Sequence, residues 1–149
     1  MIRPVTLLNG VLLFSLLLFA HCKKDDPQPT EEERITQLLA SGQWVPATGN
    51  WVVVDGVSVA ELFTDFKITF TETGYTTTGT TPVWPRNDTW KFKSGSTSIL
   101  IRDSDQLEVA IENLDERNLK LSLTWNQETF IEGGRTVSVK GKHEFTLVK

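Results

Sequence analysis

The sequence predicts an all-β protein: an eight-stranded antiparallel up-and-down barrel preceded by a short N-terminal helix. From residue 43 onwards, apolar and polar residues alternate with a period of two, the pattern of strands that have one buried and one solvated face. Short clusters of Gly, Asp, Asn and Ser separate these segments and favour hairpins between sequential strands. A parallel sheet would need helical crossovers between strands, and the pattern after residue 43 contains none.

A capping box marks the start of the helix. Thr30 can accept a hydrogen bond from the amide three residues on, and Glu33 can reach back to the amide of Thr30. The acidic first turn suits the positive end of the helix dipole, and Gly42 favours a stop. One apolar stripe is expected to pack over an end of the domain, and it consists of Ile35, Leu38 and Leu39.

Eight strand segments follow, over residues 43–54, 65–71, 75–80, 88–93, 97–102, 106–113, 118–126 and 136–148. Six of them, all except 43–54 and 75–80, show an apolar row that is expected to turn inward, and the residues of these rows are Phe66, Ile68, Phe70, Trp90, Phe92, Ile99, Ile101, Leu107, Val109, Ile111, Leu119, Leu121, Leu123, Trp125, Val137, Val139, Phe145 and Leu147. Leu100 and Arg102 then alternate with the inward row. The dipeptide Asp55-Gly56 can form a small hairpin of its own. A closed barrel removes exposed edges, whereas the rival two-sheet sandwich usually needs long crossovers.

The N-terminus resembles a bacterial lipoprotein signal. Arg3 precedes an apolar run over residues 5–20, and Cys22, the single cysteine of the chain, lies where cleavage is expected. This pattern predicts a signal peptide over residues 1–21 and an acylated Cys22 as the first mature residue. An uncleaved membrane anchor would need about 20 apolar residues, and the apolar run here is shorter than that because Asn9 and Gly10 interrupt it. Plain secretion usually needs a small residue before the cut, where His21 stands.

Residues 22–30 are predicted to be a flexible tether ahead of a barrel domain at residues 31–149. The segment is charged and proline-rich, so it has little to bury. Its Lys23-Lys24-Asp25-Asp26 cluster resembles the surface-export signal of Bacteroidota-type lipoproteins. We therefore expect an outer-membrane protein that is anchored through lipid on Cys22. It faces either the periplasm or the cell exterior.

Composition limits the partners of the chain. Loss of residues 1–21 removes Arg3 and no acidic residue, so the formal net charge changes from −4 to −5. An acidic chain without a basic cluster is a poor candidate for binding nucleic acid or for gripping anionic lipid electrostatically. Because lipid is expected to occupy Cys22, no disulfide is available, and stability must come from packing.

The start of the first strand resembles that of lipocalins. Gly42-Gln43-Trp44 matches the G-x-W entry of that family, and the resemblance implies that Trp44 closes one end of an eight-stranded barrel. It also implies that a basic residue from the last strand packs against this Trp. Arg135 is the candidate considered for that role, although it lies at the beginning of the predicted strand. The wider pattern is similar to the small lipocalin-like domain of Bacteroidota lipoproteins, through Val54-Asp55-Gly56, Asp65 to Phe70, Pro82-Val83-Trp84-Pro85, Thr89-Trp90, Gly133-Gly134-Arg135 and Phe145 to Lys149.

Little catalytic or metal-binding machinery is visible, so we expect no enzyme, no cofactor and no metal site. His143 is the single histidine after residue 21, without a nucleophile motif, and is expected to be a strand residue near a barrel end. Asp103-Ser104-Asp105 is interpreted as a turn with Asx geometry rather than a calcium loop. Glu132-Gly133-Gly134-Arg135 lacks the helix that a phosphate loop requires and is interpreted as a hairpin turn.

The best binding candidates are aromatic and lie around one strand connection. They are Tyr75, Trp84, Arg86 and Trp90, which accompany a run of threonines. Trp84 stands between two prolines, and a tryptophan on a stiff loop is suited to stacking on a sugar, a ring or a partner side chain. In the alternative interpretation, Trp84 fills the barrel mouth and Trp90 belongs to the inward row.

Two functions are compatible with these features. The first is a lipid-anchored, non-enzymatic envelope protein that binds a small apolar ligand or a partner. The second is an interaction module with a solid core, which uses the Trp84 loop to contact a glycan or an envelope protein. The inward row is bulky, which favours a filled or narrow interior, because a small barrel either fills with its own side chains or holds one small ligand.

Overall fold

The computed structural model describes residues 27–149. The predictions that concern the signal peptide, Cys22 and the first part of the tether lie outside these residues. Helix α1 spans Glu31–Ala40 and begins with the predicted capping box. The amide of Glu33 donates to Thr30 Oγ1 at 3.2 Å, and the amide of Thr30 donates to Glu33 Oε2 at 2.7 Å. Within residues 27–149, none of the helices has the length and apolar character needed to cross a membrane.

The strands are short and follow one another closely. They are β1 (Gln43–Pro46), β2 (Val52–Val54), β3 (Val57–Ser58), β4 (Lys67–Phe70), β5 (Gly74–Thr78), β6 (Asn87–Phe92), β7 (Ile99–Arg102), β8 (Glu108–Leu114), β9 (Asn118–Trp125), β10 (Phe130–Glu132), β11 (Arg135–Ser138) and β12 (Gly141–Val148). A single 3₁₀ turn, Ala60–Leu62, follows β3 in the described part of the chain.

Eight of these strands close into a barrel, which confirms the predicted fold class. The order around the barrel is β1-β4-β5-β6-β7-β8-β9-β12, and β12 pairs again with β1. Every pairing is antiparallel; short turns join β4 to β5 and β6 through β9 in sequence, whereas longer segments at residues 47–66, 79–86 and 126–140 make the other connections. Closure satisfies the backbone of both would-be edge strands, which is why short strands suffice to make a stable wall.

The segment predicted as the first strand, residues 43–54, is interrupted once. Both β1 and β2 pair with β12, through Pro46 opposite Leu147 and Val52 opposite Phe145. Residues 47–51 bulge out between them. After β2, Asp55 and Gly56 both have positive φ, of 48° and 85°, and form the turn of the small β2–β3 hairpin that the valine runs suggested.

The segment predicted as one last strand, residues 136–148, is divided, and that part of the prediction is wrong. β11 pairs with β10 in a separate two-stranded hairpin, turned by Gly133-Gly134 as expected, and the barrel strand β12 begins only at Gly141. Gly141 has φ +138°, and a Cβ there would lie 2.5 Å from Asp55 Oδ2 and 2.7 Å from Val54 Cγ1. A side chain therefore does not fit at Gly141, and neither Val137 nor Val139 belongs to a strand of the barrel wall.

The inward rows agree with the sequence on β4, β9 and β12 but not on β7. Leu100 and Arg102 are the buried residues of β7, whereas Ile99 and Ile101 are half-buried on its other face. Leu100 lies opposite Phe92, and Arg102 lies opposite Trp90. Residues that pair across antiparallel strands share one face of the sheet, so the neighbour β6 fixes which face of β7 is internal.

Aromatic rings fill the middle of the barrel. Phe145 contacts Phe63 at 5.5 Å, Phe66 at 6.0 Å and Trp84 at 5.6 Å between ring centroids, and Trp51 stacks on Phe66 at 5.4 Å. These geometries are the edge-to-face and offset-stacked arrangements that aromatic pairs favour. The rings come from the bulge, from the residues between the 3₁₀ turn and β4, from the loop at residues 79–86 and from β12, so this core joins parts that are distant in sequence.

The barrel has two ends of different construction. The helix end carries α1 and the turns at residues 71–73, 93–98 and 115–117. The hairpin end carries the β2–β3 hairpin, the loop at residues 79–86, the turn at residues 103–107 and the β10–β11 hairpin. The described chain enters at the helix end, through residues 27–30.

Candidate functional site

At the helix end, Trp44 is enclosed between α1 and a basic residue. Its indole Nε1 donates to the Leu39 carbonyl at 2.9 Å. The Lys149 ammonium lies 4.2 Å from the centroid of the Trp44 ring and donates to the Leu38 carbonyl at 3.4 Å and to the Ser41 hydroxyl. A cation at this position also faces the negative end of the helix dipole.

Lys149 therefore fills the position for which the sequence offered only Arg135. Arg135 lies in β11, exposed and outside the barrel. The signal for Lys149 was present in the sequence, since residues 145, 147 and 149 share one face of the last strand. Gly42 lies beside the same contact, with the Lys149 side chain 3.5 Å from the position of a Cβ.

The structure separates the four binding candidates into three places. Tyr75 and Trp84 are in contact inside the barrel, edge to face, with ring centroids 5.4 Å apart. Trp90 is buried on the inward row of β6, where its Nε1 donates to the Gly74 carbonyl at 3.1 Å and its ring meets Phe92. Arg86 is exposed at the surface of the hairpin end. The ring of Trp84 is only 4% exposed, so its geometry is that of a residue that fills the barrel mouth.

We call residues 79–86, between β5 and β6, the plug. Val83 and Trp84 point inward from it and are both buried. Three hydrogen bonds from neighbouring strands hold its second half: the Thr77 amide to the Arg86 carbonyl at 2.8 Å, the Thr77 hydroxyl to the Pro85 carbonyl at 3.0 Å, and Arg102 Nη1 to the Val83 carbonyl at 2.7 Å. The plug is thus a docked part of the barrel rather than a free loop.

Arg102 is the residue of this region that sequence reasoning missed. Its side chain is 1% exposed, and its guanidinium lies 5.4 Å from the centroid of the Trp84 ring. Nε and Nη2 donate to the two carboxylate oxygens of Asp105, the first at 3.1 Å. Burial opposes ionisation of Asp105, but the hydrogen bonds from Arg102 and from the Leu107 amide outweigh it and hold the pKa of this carboxyl below its ordinary value.

The acidic turn between β7 and β8 has the geometry of a turn. Asp105 Oδ1 accepts from the Leu107 amide at 3.0 Å, an Asx-type bond, and Asp88 accepts from the amide and hydroxyl of Ser104. Asp103 accepts from the Thr89 hydroxyl. Among residues 27–149, no three His, Cys, Asp or Glu side chains are grouped closely enough to hold a metal ion.

The outer surface of the hairpin end is uneven and partly apolar. A cleft of about 390 Å³ lies between the plug and the β10–β11 hairpin, lined by Thr80, Thr81, Pro82, Arg86 and Phe130 among others. Phe130 and Ile131 are 58% and 60% exposed on β10. At the opposite end, a wider open cleft of about 1010 Å³ separates α1 from β6. Exposed apolar side chains beside a cleft are typical of interaction surfaces.

His143 is buried on β12, near the hairpin end. Its ring stacks on Phe145 at 6.1 Å and meets the edge of Phe63 at 6.3 Å, and its Nδ1 lies 3.2 Å from the Gly141 carbonyl. Burial lowers the pKa of His143, and the Gly141 carbonyl and the charge of Asp55 oppose this only in part. The residue thus packs as a neutral ring within the aromatic core.

Together these features define a closed eight-stranded antiparallel barrel with a short helix over one end, consistent with a lipocalin-like or calycin fold. No protein-family model matches the chain, and no curated protein or solved structure is significantly similar to it.

Replacing Lys149 with Met should lower the free energy of unfolding by about 1 kcal/mol, because the cation over Trp44 and the charge at the helix C-terminus are lost while the aliphatic stem remains. Chemical denaturation measures this change. Lys67→Met, at an exposed position of β4, is the matched control and should change stability by much less. Equal effects of the two substitutions would show that the Trp44 contact contributes nothing specific.

The protein should become less stable as the pH is lowered through the titration of His143. Because its folded-state pKa is below that of the unfolded chain, the unfolded state takes up the proton first, and the free energy of unfolding decreases as the pH drops below about 6.5. The slope is at most about 1.4 kcal/mol per pH unit for one proton. His143→Phe should remove this slope between about pH 5.5 and 7.5. A slope that persists in the variant would assign it to another group.

Proposed function

We propose that this chain is a lipid-anchored, non-enzymatic binding protein of the bacterial cell envelope, similar to the lipocalin-like lipoproteins of Bacteroidota. The proposal places it in the outer membrane, with lipid on Cys22 as its only attachment. It draws on the signal-like residues 1–21, the lone cysteine, the charged tether and the Gly42-Gln43-Trp44 entry to a closed barrel. Stable anchoring by lipid requires more than one acyl chain, which lipoprotein processing would supply.

The observation that carries the proposal is the difference between the two ends of the barrel. The described chain enters at the helix end, so a lipid on Cys22 would hold that end towards the membrane. Nine tether residues, 22–30, reach about 30 Å at full extension, which keeps the barrel near the bilayer. The hairpin end, with exposed Phe130, Ile131 and Arg86 beside a cleft, would then face away from the membrane.

The filled interior favours contact with a partner over storage of a large apolar ligand. The rings of Trp51, Phe63, Phe66, Trp84 and Phe145 occupy the space that a carrier of that kind would keep open. A solid barrel is a rigid scaffold on which loops and hairpins can present contact residues. An envelope protein or a glycan at the hairpin end is therefore the partner that we propose, with the β10–β11 hairpin and Arg86 rather than the buried Trp84 ring in contact with it.

A small ligand remains the second candidate because one observation favours it. Tyr75 and Trp84 each carry a buried polar atom that has no hydrogen-bond partner among the described residues. The buried polar groups of folded proteins are almost always paired, so two neighbouring exceptions indicate a place where another molecule can bind.

Cys22→Ala should release the protein from membranes into the soluble fraction, because the acylated sulfur is the proposed attachment. Cell fractionation, together with the intact mass of the purified protein, measures both the location and the acyl groups. Gln28→Ala, which alters the tether but keeps the cysteine, should remain membrane-bound. A Cys22→Ala variant that stays in the membrane would support an uncleaved anchor instead.

A photo-crosslinking residue at position 130 should form a discrete adduct with an envelope component in living cells, because Phe130 lies on the proposed contact surface. The same residue at position 116, in an exposed turn of the helix end, is the matched control and should form none of that adduct. Arg86→Ala should weaken the adduct at position 130. Adducts at position 116 alone would place the contact at the wrong end of the barrel.

A further inference from the structure

Two neighbouring hydrogen-bond donors inside the barrel have no protein acceptor. Tyr75 is 3% exposed and Trp84 is 4% exposed, and within the described residues neither the Tyr75 hydroxyl nor Trp84 Nε1 has a partner. Two other buried indoles are paired, since Trp44 donates to Leu39 and Trp90 donates to Gly74, whereas the buried Nε1 of Trp125, on β9 and outside this cluster, also lacks a partner among the described residues. An unpaired buried donor costs about 1–3 kcal/mol, so this pair calls for an explanation.

Arg102 adds further donors at the same place. A guanidinium carries five N–H groups. Two of them point to Asp105 and one points to the Val83 carbonyl. The guanidinium packs on the Trp84 ring, and its charge acts on the Tyr75 hydroxyl. The hairpin end of the interior is therefore rich in donors and poor in acceptors.

The charges around these donors favour a neutral acceptor over an anion. Asp105 already compensates the Arg102 charge, and Asp88 adds a second negative charge that acts on Tyr75. Burial raises the pKa of the Tyr75 hydroxyl, and Arg102 opposes only part of that rise, so the hydroxyl stays protonated and available as a donor. The negative charges of these aspartates would repel a carboxylate, whereas a neutral carbonyl oxygen carries no net charge for them to repel.

We propose that Tyr75, Trp84 and Arg102 form a binding site for the carbonyl oxygen of a small, neutral molecule. The Tyr75 hydroxyl and the indole N–H of Trp84 donate to that oxygen, and the Arg102 guanidinium packs beside them on the Trp84 ring. The surrounding aromatic rings, which bring Phe145 to within 5.6 Å of Trp84, would restrict such a molecule to a short apolar body. Ketones, esters, and amides without N–H groups match this chemistry, because the site offers donors and few acceptors.

The plug lies between the site and the outside. It carries Trp84, and its outer face borders the cleft of about 390 Å³ that Arg86 and Phe130 help to line. A small movement of residues 79–86 would join this cleft to the donors beneath. The site is therefore distinct from the proposed outer contact surface, although both are at the hairpin end.

Indole N–H resonances of the lipidated full chain in detergent micelles test the proposal. The chain has five tryptophans, and Trp84→Phe identifies the Trp84 signal. Addition of N,N-dimethylacetamide or cyclohexanone should move this signal downfield in a saturable manner. The signals of Trp44 and Trp90, whose N–H groups already have carbonyl partners, should not move. Methylenecyclohexane, which lacks the oxygen, and acetate, which is charged, should have little effect.

Tyr75→Phe removes only the hydroxyl and should weaken binding of the carbonyl probes about ten-fold, the equivalent of about 1.4 kcal/mol for one hydrogen bond. Without a probe, it should leave the melting temperature unchanged or raise it, because an unpaired hydroxyl is lost. Ser122→Ala is the control: its buried hydroxyl donates to Glu112 at 2.6 Å, so the variant should melt lower and bind the probes as the parent chain does.

Three results would overturn the proposal. One is a Trp84 signal that no carbonyl probe moves. Another is an equal response to methylenecyclohexane or a stronger response to acetate. The third is a probe-free Tyr75→Phe that melts as low as Ser122→Ala, which would indicate a permanently bound water instead of a ligand site. The crosslinking result at position 130 is independent of all three, so failure of this site and failure of the proposed surface contact can be told apart.

Discussion

The hairpin end of this barrel depends on one buried charge, the guanidinium of Arg102. A buried cation is tolerated only when hydrogen bonds and an opposite charge compensate it. Here the compensation comes from Asp105 in the following turn and from the Val83 carbonyl in the plug, so satisfying Arg102 fixes both segments. The indole of Trp84 packs between the guanidinium, Tyr75 and Phe145. The shape of the barrel mouth is thus a consequence of placing a charge inside.

Much of the wall could be predicted because its strands have one apolar and one polar face. The alternation at residues 66–70, 119–123 and 145–147 corresponds to the structure for this reason. The sequence Ile99-Leu100-Ile101-Arg102 is apolar at three of its four positions, so its period does not distinguish the faces, and pairing with β6 decides them. The bulge at residues 47–51 and the break at Gly141 likewise depend on neighbours in space that a local pattern does not contain.

The candidate site was accessible to sequence reasoning only in part. Tyr75 and Trp84 were singled out as aromatic residues near one connection, and they do meet, but inside the barrel and not on its surface. The alternation with Ile99 and Ile101 predicts the solvent side for Arg102, and its partner Asp105 is predicted only as a turn residue; charged side chains are rarely buried without such a partner. Lys149 shares the strand face of Phe145 and Leu147, so its role at Trp44 follows from position once the last strand is placed.

The position of β12 has a consequence for the timing of folding. This strand pairs with β9, which shortly precedes it in the chain, and also with β1 and β2, which are about a hundred residues earlier. Neither the barrel wall nor the contact of Lys149 with α1 can form until these final residues are available. Long-range pairing of this kind slows folding, because the entropy cost of closing a long loop precedes the stabilising contacts. The barrel therefore closes only when its last strand is in place.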